Sequence, residues 1–206
     1  MRIGFLAMLV SVSPLLAEEE IMKYPVPGTV VARVSYFLPE SSSLQNVSYN
    51  GGAYYQVTGT VPMYDGDLFA LRGLNFWWAV DYFYKSERST RFNNRGHIQM
   101  VPITAGLKYI YPAYNFRPYL GAGFKYYFVK IHNSSPFLQE NIRRNGLGGT
   151  IEIGLLTFLA RYLVMDLFLT YSFKQFNSYF INSRNVINYS FNVGGLNIGG
   201  GLGLKF

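Results

Sequence analysis

The sequence has no cysteine, little charge and no long apolar run beyond its first residues. Each absence removes a class of protein. Without cysteine there is no disulfide framework, no thiolate metal site and no lipid-modified N-terminal cysteine. The only two histidines, His97 and His132, stand far apart, and no carboxylates cluster. That leaves no zinc or calcium spacing, so neither a metal nor another cofactor is expected. Charged residues make up 14% of the 206 positions, against about 25% in an ordinary soluble domain. Nor does any stretch of about 18 uninterrupted apolar residues follow the N-terminal segment, which excludes a spanning helix. The nearest candidate, Ile153 to Tyr171, is broken by Arg161 and Asp166.

What is present is aromatic and glycine-rich: 18% Phe, Trp and Tyr, with 21 glycines. Few charges and many aromatics suggest an outer surface that does not face water. A membrane protein without spanning helices must close a β-barrel, because lipid satisfies no backbone hydrogen bond. The chain ends support an exported protein. Met1-Arg2 followed by the apolar run Ile3 to Val12 and Leu15-Leu16-Ala17 has the layout of a secretory signal over residues 1–17. Residues 18–27 then read as a periplasmic lead-in and 28–206 as the barrel. In the last eleven residues Leu196, Ile198, Leu202, Leu204 and Phe206 fall on one face of a strand. Asn197, Gly199, Gly201, Gly203 and Lys205 fall on the other.

Period-2 alternation marks eight strands, at about 29–38, 53–63, 74–85, 98–109, 117–129, 148–157, 162–174 and 188–206. In each strand core the charged residues oppose the apolar stripe. A soluble barrel would turn the stripe inward, and a membrane barrel turns it outward. The expected export, the terminal aromatic, the glycines on the polar face and the aromatic residues near the stripe ends all favour the membrane barrel. Links after strands one, three, five and seven are long and polar: Pro39 to Gly52, Ser86 to His97, Lys130 to Leu147 and Gln175 to Ile187. Those after strands four and six are short, the asymmetry of outer-membrane barrels, from which the ten-residue link after strand two, Tyr64 to Gly73, departs. Pro102 interrupts strand four, where it removes a ladder hydrogen bond and calls for a bulge or a later strand start.

With these features the chain resembles the small eight-stranded outer-membrane proteins of Gram-negative bacteria, the group of the OmpA transmembrane domain, OmpX and OmpW. The resemblance implies an all-β, antiparallel up-and-down barrel in the bacterial outer membrane. It implies that Phe206, with Leu204 and Leu202, is the signal read by the barrel-assembly machinery. The group includes structural or adhesive proteins, small channels and lipid A-modifying enzymes, and the resemblance does not choose among them.

A structural or surface-interaction role is expected, with a narrow anion-preferring channel as the alternative. The inner wall should carry Arg33, Lys85, Lys108, Lys125, Lys174 and Lys205 against Asp81, Glu152 and Asp166. An eight-stranded interior has room for little but side chains, so these should pair as a solid polar core, helped by Asn75, Thr58, Thr104 and Ser172. Catalysis is not expected. His132 beside Ser134, Ser135 and Glu140 could assemble a nucleophile and base, but no glycine-framed nucleophile motif accompanies them. The loop cations Arg88, Arg91, Arg95, Arg143, Arg144 and Arg184 suit outer-membrane lipid and lipopolysaccharide phosphates, or an anionic host glycan. Basicity is the one feature that suggests nucleic acid, and since lipid phosphates account for it no nucleic-acid partner is expected.

Overall fold

The computed structural model describes residues 26–40, 51–63, 69–88, 95–113, 115–133, 141–182 and 185–206. In chain order the strands are β1 (Thr29–Pro39), β2 (Gly52–Pro62), β3 (Leu74–Arg88), β4 (Arg95–Met100), β5 (Ile103–Ile110) and β6 (Phe116–Asn133). They continue as β7 (Asn141–Phe158), β8 (Leu163–Phe173), β9 (Gln175–Asn182), β10 (Asn185–Asn192) and β11 (Gly195–Lys205). One helical turn, Phe69–Arg72, precedes β3. Every neighbouring pair is antiparallel, and β11 returns to β1, so the wall closes on itself. Strands β4 and β5 are successive pieces of one stave, and the barrel has eight staves.

The register fixes its shape. Moving sideways from Thr29 leads through Thr60, Trp77, Gly106, Gly123, Thr150, Ser172 and Gly195. The path re-enters β1 at Pro39, ten residues from its start. Eight staves with that stagger, at 3.3 Å per residue and 4.8 Å between strands, tilt by about 41° at a backbone radius of about 8 Å. Ten residues then climb about 25 Å, the height of the apolar band of an outer-membrane barrel. Leu120, Phe124, Leu202 and Leu204 point outward and are 57%, 68%, 56% and 60% exposed. Aromatic rings flank the band: Phe116, Tyr162 and Phe206 toward the end holding Thr29, here the lower end, and Tyr36, Tyr84 and Phe173 toward the upper end.

Pro102 needs neither a bulge nor a later start. Met100 and Ile103 keep one register against both β3 and β6. The Pro102 carbonyl accepts the Asp81 N–H at 2.9 Å and the Val101 N–H donates to Phe128 at 2.9 Å. The stave gives up a single bond, the one an N–H at position 102 would donate toward Asp81.

The upper links differ from the long loops expected. Pairing of β3 with β4 continues to Arg88 opposite Arg95, and of β6 with β7 to His132 opposite Asn141. Past β8 and before β11 the chain forms a separate ladder, β9 with β10, from Gln175 opposite Asn192 to Asn182 opposite Asn185. Above the bilayer, strand pairing still satisfies the backbone, but neither face need be apolar. The alternation that marks a strand in the sequence fades there. Residues 41–50 of the first upper link lie outside the described residues.

The interior is not uniformly polar. Phe37, Tyr54, Phe83, Tyr127, Met100 and Phe176 belong to a buried apolar cluster in the upper part. Val26, Ile110, Tyr119, Leu156 and Phe168 form another at the lower end. Within the expected strands alternation set the cluster members on the same face as the charges, but it cannot rank an inward aromatic against an inward lysine; Val26, Ile110 and Phe176 lie outside those strands. Val26, from the expected lead-in, packs into the lower cluster and so belongs to the barrel.

Candidate functional site

Between the two apolar clusters lies one connected assembly of buried charges. Arg33 on β1 is its hub. Its Nε donates to Asp166 Oδ2 at 2.6 Å, and its Nη1 donates to Glu152 Oε2 at 2.9 Å and to Gln56 Oε1 at 2.7 Å. Its Nη2 donates to the Tyr119 hydroxyl at 3.1 Å, which in turn donates to Asp166 Oδ1 at 2.9 Å. Glu152 also accepts Lys108 Nζ at 2.6 Å and the Thr170 hydroxyl at 2.9 Å.

Gln56 joins this half to a second. Its amide donates to Asp81 Oδ1 at 2.6 Å, while Asp81 Oδ2 takes Lys125 Nζ and the Tyr54 hydroxyl, each at 2.9 Å. Three cations (Arg33, Lys108, Lys125) meet three acids (Asp81, Glu152, Asp166), all with side chains exposed by 2% or less. The set is formally neutral. Aromatic faces complete the cation surroundings: Phe168 at 4.4 Å from the Arg33 guanidinium, and Tyr119 and Trp77 at 4.4 and 4.7 Å from Lys108 Nζ.

Local sequence makes this geometry possible. β11 lies between β1 and β8, so Arg33 must cross it to reach Asp166. Gly201 is the residue opposite both, and a Cβ there would stand 2.7 Å from Arg33 Cγ. Gly154 plays the same part for Tyr119, whose hydroxyl would lie 2.3 Å from an added Cβ.

The remaining expected lumen cations stand apart from this set. Lys85 donates to the Gly51 carbonyl near the upper rim. Lys174, at the junction of β8 and β9, lies over Phe176 at 4.9 Å. Lys205, near the lower end, lies over Phe158 at 4.2 Å. The cationic surplus expected from the sequence therefore sits toward the ends, and the middle is balanced. Asn75 bonds the Gly73 carbonyl, and Thr58 bonds Trp77 and the Trp78 carbonyl, so both serve the wall. Arg117 was missed as an interior cation. It is buried, with its guanidinium 4.5 Å from the Phe158 ring centroid. Its odd position on β6, in phase with Tyr119 and Lys125, was the signal.

The expected loop cations divide. Arg143 and Arg144 are in β7: Arg143 is exposed on the outward side, and Arg144 is half-buried on the inward side. Arg88 and Arg95 are paired strand positions of β3 and β4 whose side chains lie outside the described set. Arg91 and Arg184 lie outside the described residues. His97 and His132, far apart in sequence, are opposite each other on β4 and β6, rings stacked at 4.9 Å. Ser134, Ser135 and Glu140 lie outside the described residues, so the catalytic trio has no geometry to assess. Among the described residues no group of three or more His, Asp or Glu side chains could hold a metal ion.

No family model and no curated protein matches the sequence. Solved structures do match in fold. The chain is similar to Neisserial surface protein A at 15% identity and a TM-score of 0.59, over 87% of this chain and 97% of the other. It is similar to the outer membrane protein OprG from Pseudomonas aeruginosa at 13% identity and a TM-score of 0.62, covering 89% and 97%. A major outer membrane protein from Thermus thermophilus aligns at 14% identity and a TM-score of 0.50, over 87% and 99%. With its closed eight-stave wall and lipid-facing exterior, the chain has the fold of the small outer-membrane β-barrel proteins.

Proposed function

We propose that this protein is a closed, structural barrel of the bacterial outer membrane that presents its upper strand ends to the outside. Its role is structural or surface-interacting, and its lumen does not conduct. The observation that carries this reading is the neutral, fully buried charge assembly around Arg33, enclosed between two apolar clusters. A conducting pore needs water beside its charges. Here each of these charges has a protein partner within hydrogen-bond distance, and aromatic rings occupy both approaches. Residues 1–17 act as the export signal in this reading, and Phe206, Leu204 and Leu202 as the segment engaged by the assembly machinery. Outer-leaflet lipid and lipopolysaccharide are the natural neighbours of the exterior. An anionic glycan is the candidate partner for the upper rim.

Planar-bilayer recording of the refolded protein tests the closed lumen directly. Silence across the voltage range, with strand content retained, is the expected result. A steady, anion-selective single-channel current would overturn the reading and establish the channel in its place.

A further inference from the structure

The exterior of β6 and β7 changes character abruptly at the upper end. On β6 the outward residues run Phe124, Tyr126, Phe128 and then Lys130, and on β7 Leu147, Asn145 and then Arg143. Tyr126 and Phe128 pack edge to face at 5.0 Å. Lys130 and Arg143 stand directly opposite each other in the ladder, both exposed. Like charges so placed repel each other and weaken a sheet unless an anion lies between them.

The rest of this surface lacks that anion among the described residues. Gln99 on β4 and Tyr84 on β3 extend the row of Lys130 and Arg143, with the stacked His97 and His132 one row higher. Glu40, an outward acid, follows β1, separated from β7 by β8 and β11. It is already held by Tyr171 at 2.8 Å and Asn192 at 3.0 Å. Among the described residues two cations without an acid partner thus crown an apolar, aromatic strip at the height where a lipid's headgroup meets its chains.

We propose that Lys130 and Arg143 hold the phosphate of a lipid in the adjoining leaflet, whose chains lie along Phe124, Tyr126, Phe128 and Leu147. The proposal rests on the outer-membrane placement above and adds a specific, one-sided lipid site to it. The guanidinium fork and the ammonium both donate charge-assisted bonds to phosphate oxygens, and a lipid rather than a free anion fits because on β6 the aromatic residues Phe128, Tyr126 and Phe124 follow directly below Lys130.

The experiment uses the folded protein in phosphatidylcholine nanodiscs with spin-labelled phosphatidic acid or spin-labelled phosphatidylcholine as probe. Preferential immobilisation of phosphatidic acid is expected, and each cation contributes roughly fivefold to the association constant. The double variant Lys130→Gln/Arg143→Gln should lose on the order of 25-fold. Lys130→Arg/Arg143→Lys should keep most of the preference, which separates lost charge from a disturbed ladder. Arg161→Gln, at the lower turn, should leave it unchanged. An equal loss in Arg161→Gln, or displacement of the lipid by inorganic phosphate, would overturn the proposal. So would equal binding of both probes by the unsubstituted protein. Retained strand circular dichroism in each nanodisc shows that the barrel itself is intact, so failure of the lipid site is distinguishable from failure of the fold.

Discussion

Replacing Glu152 by glutamine should destabilise this barrel more than any single change on its rim. Glu152 is fully buried and accepts Lys108 at 2.6 Å, Arg33 at 2.9 Å and Thr170 at 2.9 Å. The amide keeps the shape of the side chain and removes its charge. Arg33 still has Asp166, but Lys108 loses its acid partner and is left among Trp77, Tyr119 and the barrel wall. An uncompensated buried charge typically costs about 3–5 kcal/mol, whereas Arg143→Gln on the exposed rim should stay within about 0.5 kcal/mol. Equilibrium urea unfolding in lipid vesicles, followed by tryptophan fluorescence, measures both variants against the parent. The double variant Lys108→Met/Glu152→Gln removes the stranded cation as well and should recover most of the loss, appearing as a coupling energy in the cycle. If Glu152→Gln costs no more than Arg143→Gln, water reaches the charges and the filled-lumen argument fails.

The closed ladder offers detergent no edge from which to unzip, so unheated protein should migrate differently in detergent gels from boiled protein; identical migration with rapid proteolysis would refute closure. Leu202→Asp/Leu204→Asp places charge on lipid-facing positions, where Asp costs somewhat less than the about 2–4 kcal/mol of a midplane Arg or Lys, and should block insertion while export persists. Normal outer-membrane levels in fractionated cells would remove that assignment. Gly201→Leu should expel Arg33 from its path to Asp166 and lower the urea midpoint by about as much as Glu152→Gln, since both unpair the same buried set. Pro102→Ala restores an N–H facing the Asp81 carbonyl, and that new amide should exchange slowly with deuterium; fast exchange would show that the β4–β5 junction is not part of the wall.

The barrel was legible because lipid imposes period 2 on every wall strand. Val30, Ala32, Val34, Tyr36 and Leu38 alternate with inward residues on β1, and the same holds around the wall to Leu202 and Leu204 on β11. Legibility ends with the lipid. The upper parts of β6 and β7, past Lys130 and before Leu147, are paired strand with polar residues on both faces, and alternation alone reads them as loop. Pro102 misled for a different reason. A proline in a central strand usually forces a rearrangement, but here the flanking register against both neighbours absorbs one missing bond.

The interior was legible only as a list of which side chains point inward. Position parity set Arg33, Asp81, Lys108, Lys125, Glu152 and Asp166 on one face, but pairing depends on height and on the direction around the barrel, both functions of the stagger. With a stagger of ten, Arg33 reaches Asp166 two staves away across Gly201, and Lys108 reaches Glu152 across β6. Lys205 and Lys174 have the same parity and never approach these acids, because each lies near an end of its stave. The cation excess counted along the chain is therefore a property of the rims, and the balance at the centre is a property of the register. A charge count taken from a barrel sequence predicts ion selectivity only when the charges share one water-filled level. Here register, side-chain volume and the two apolar clusters separate them.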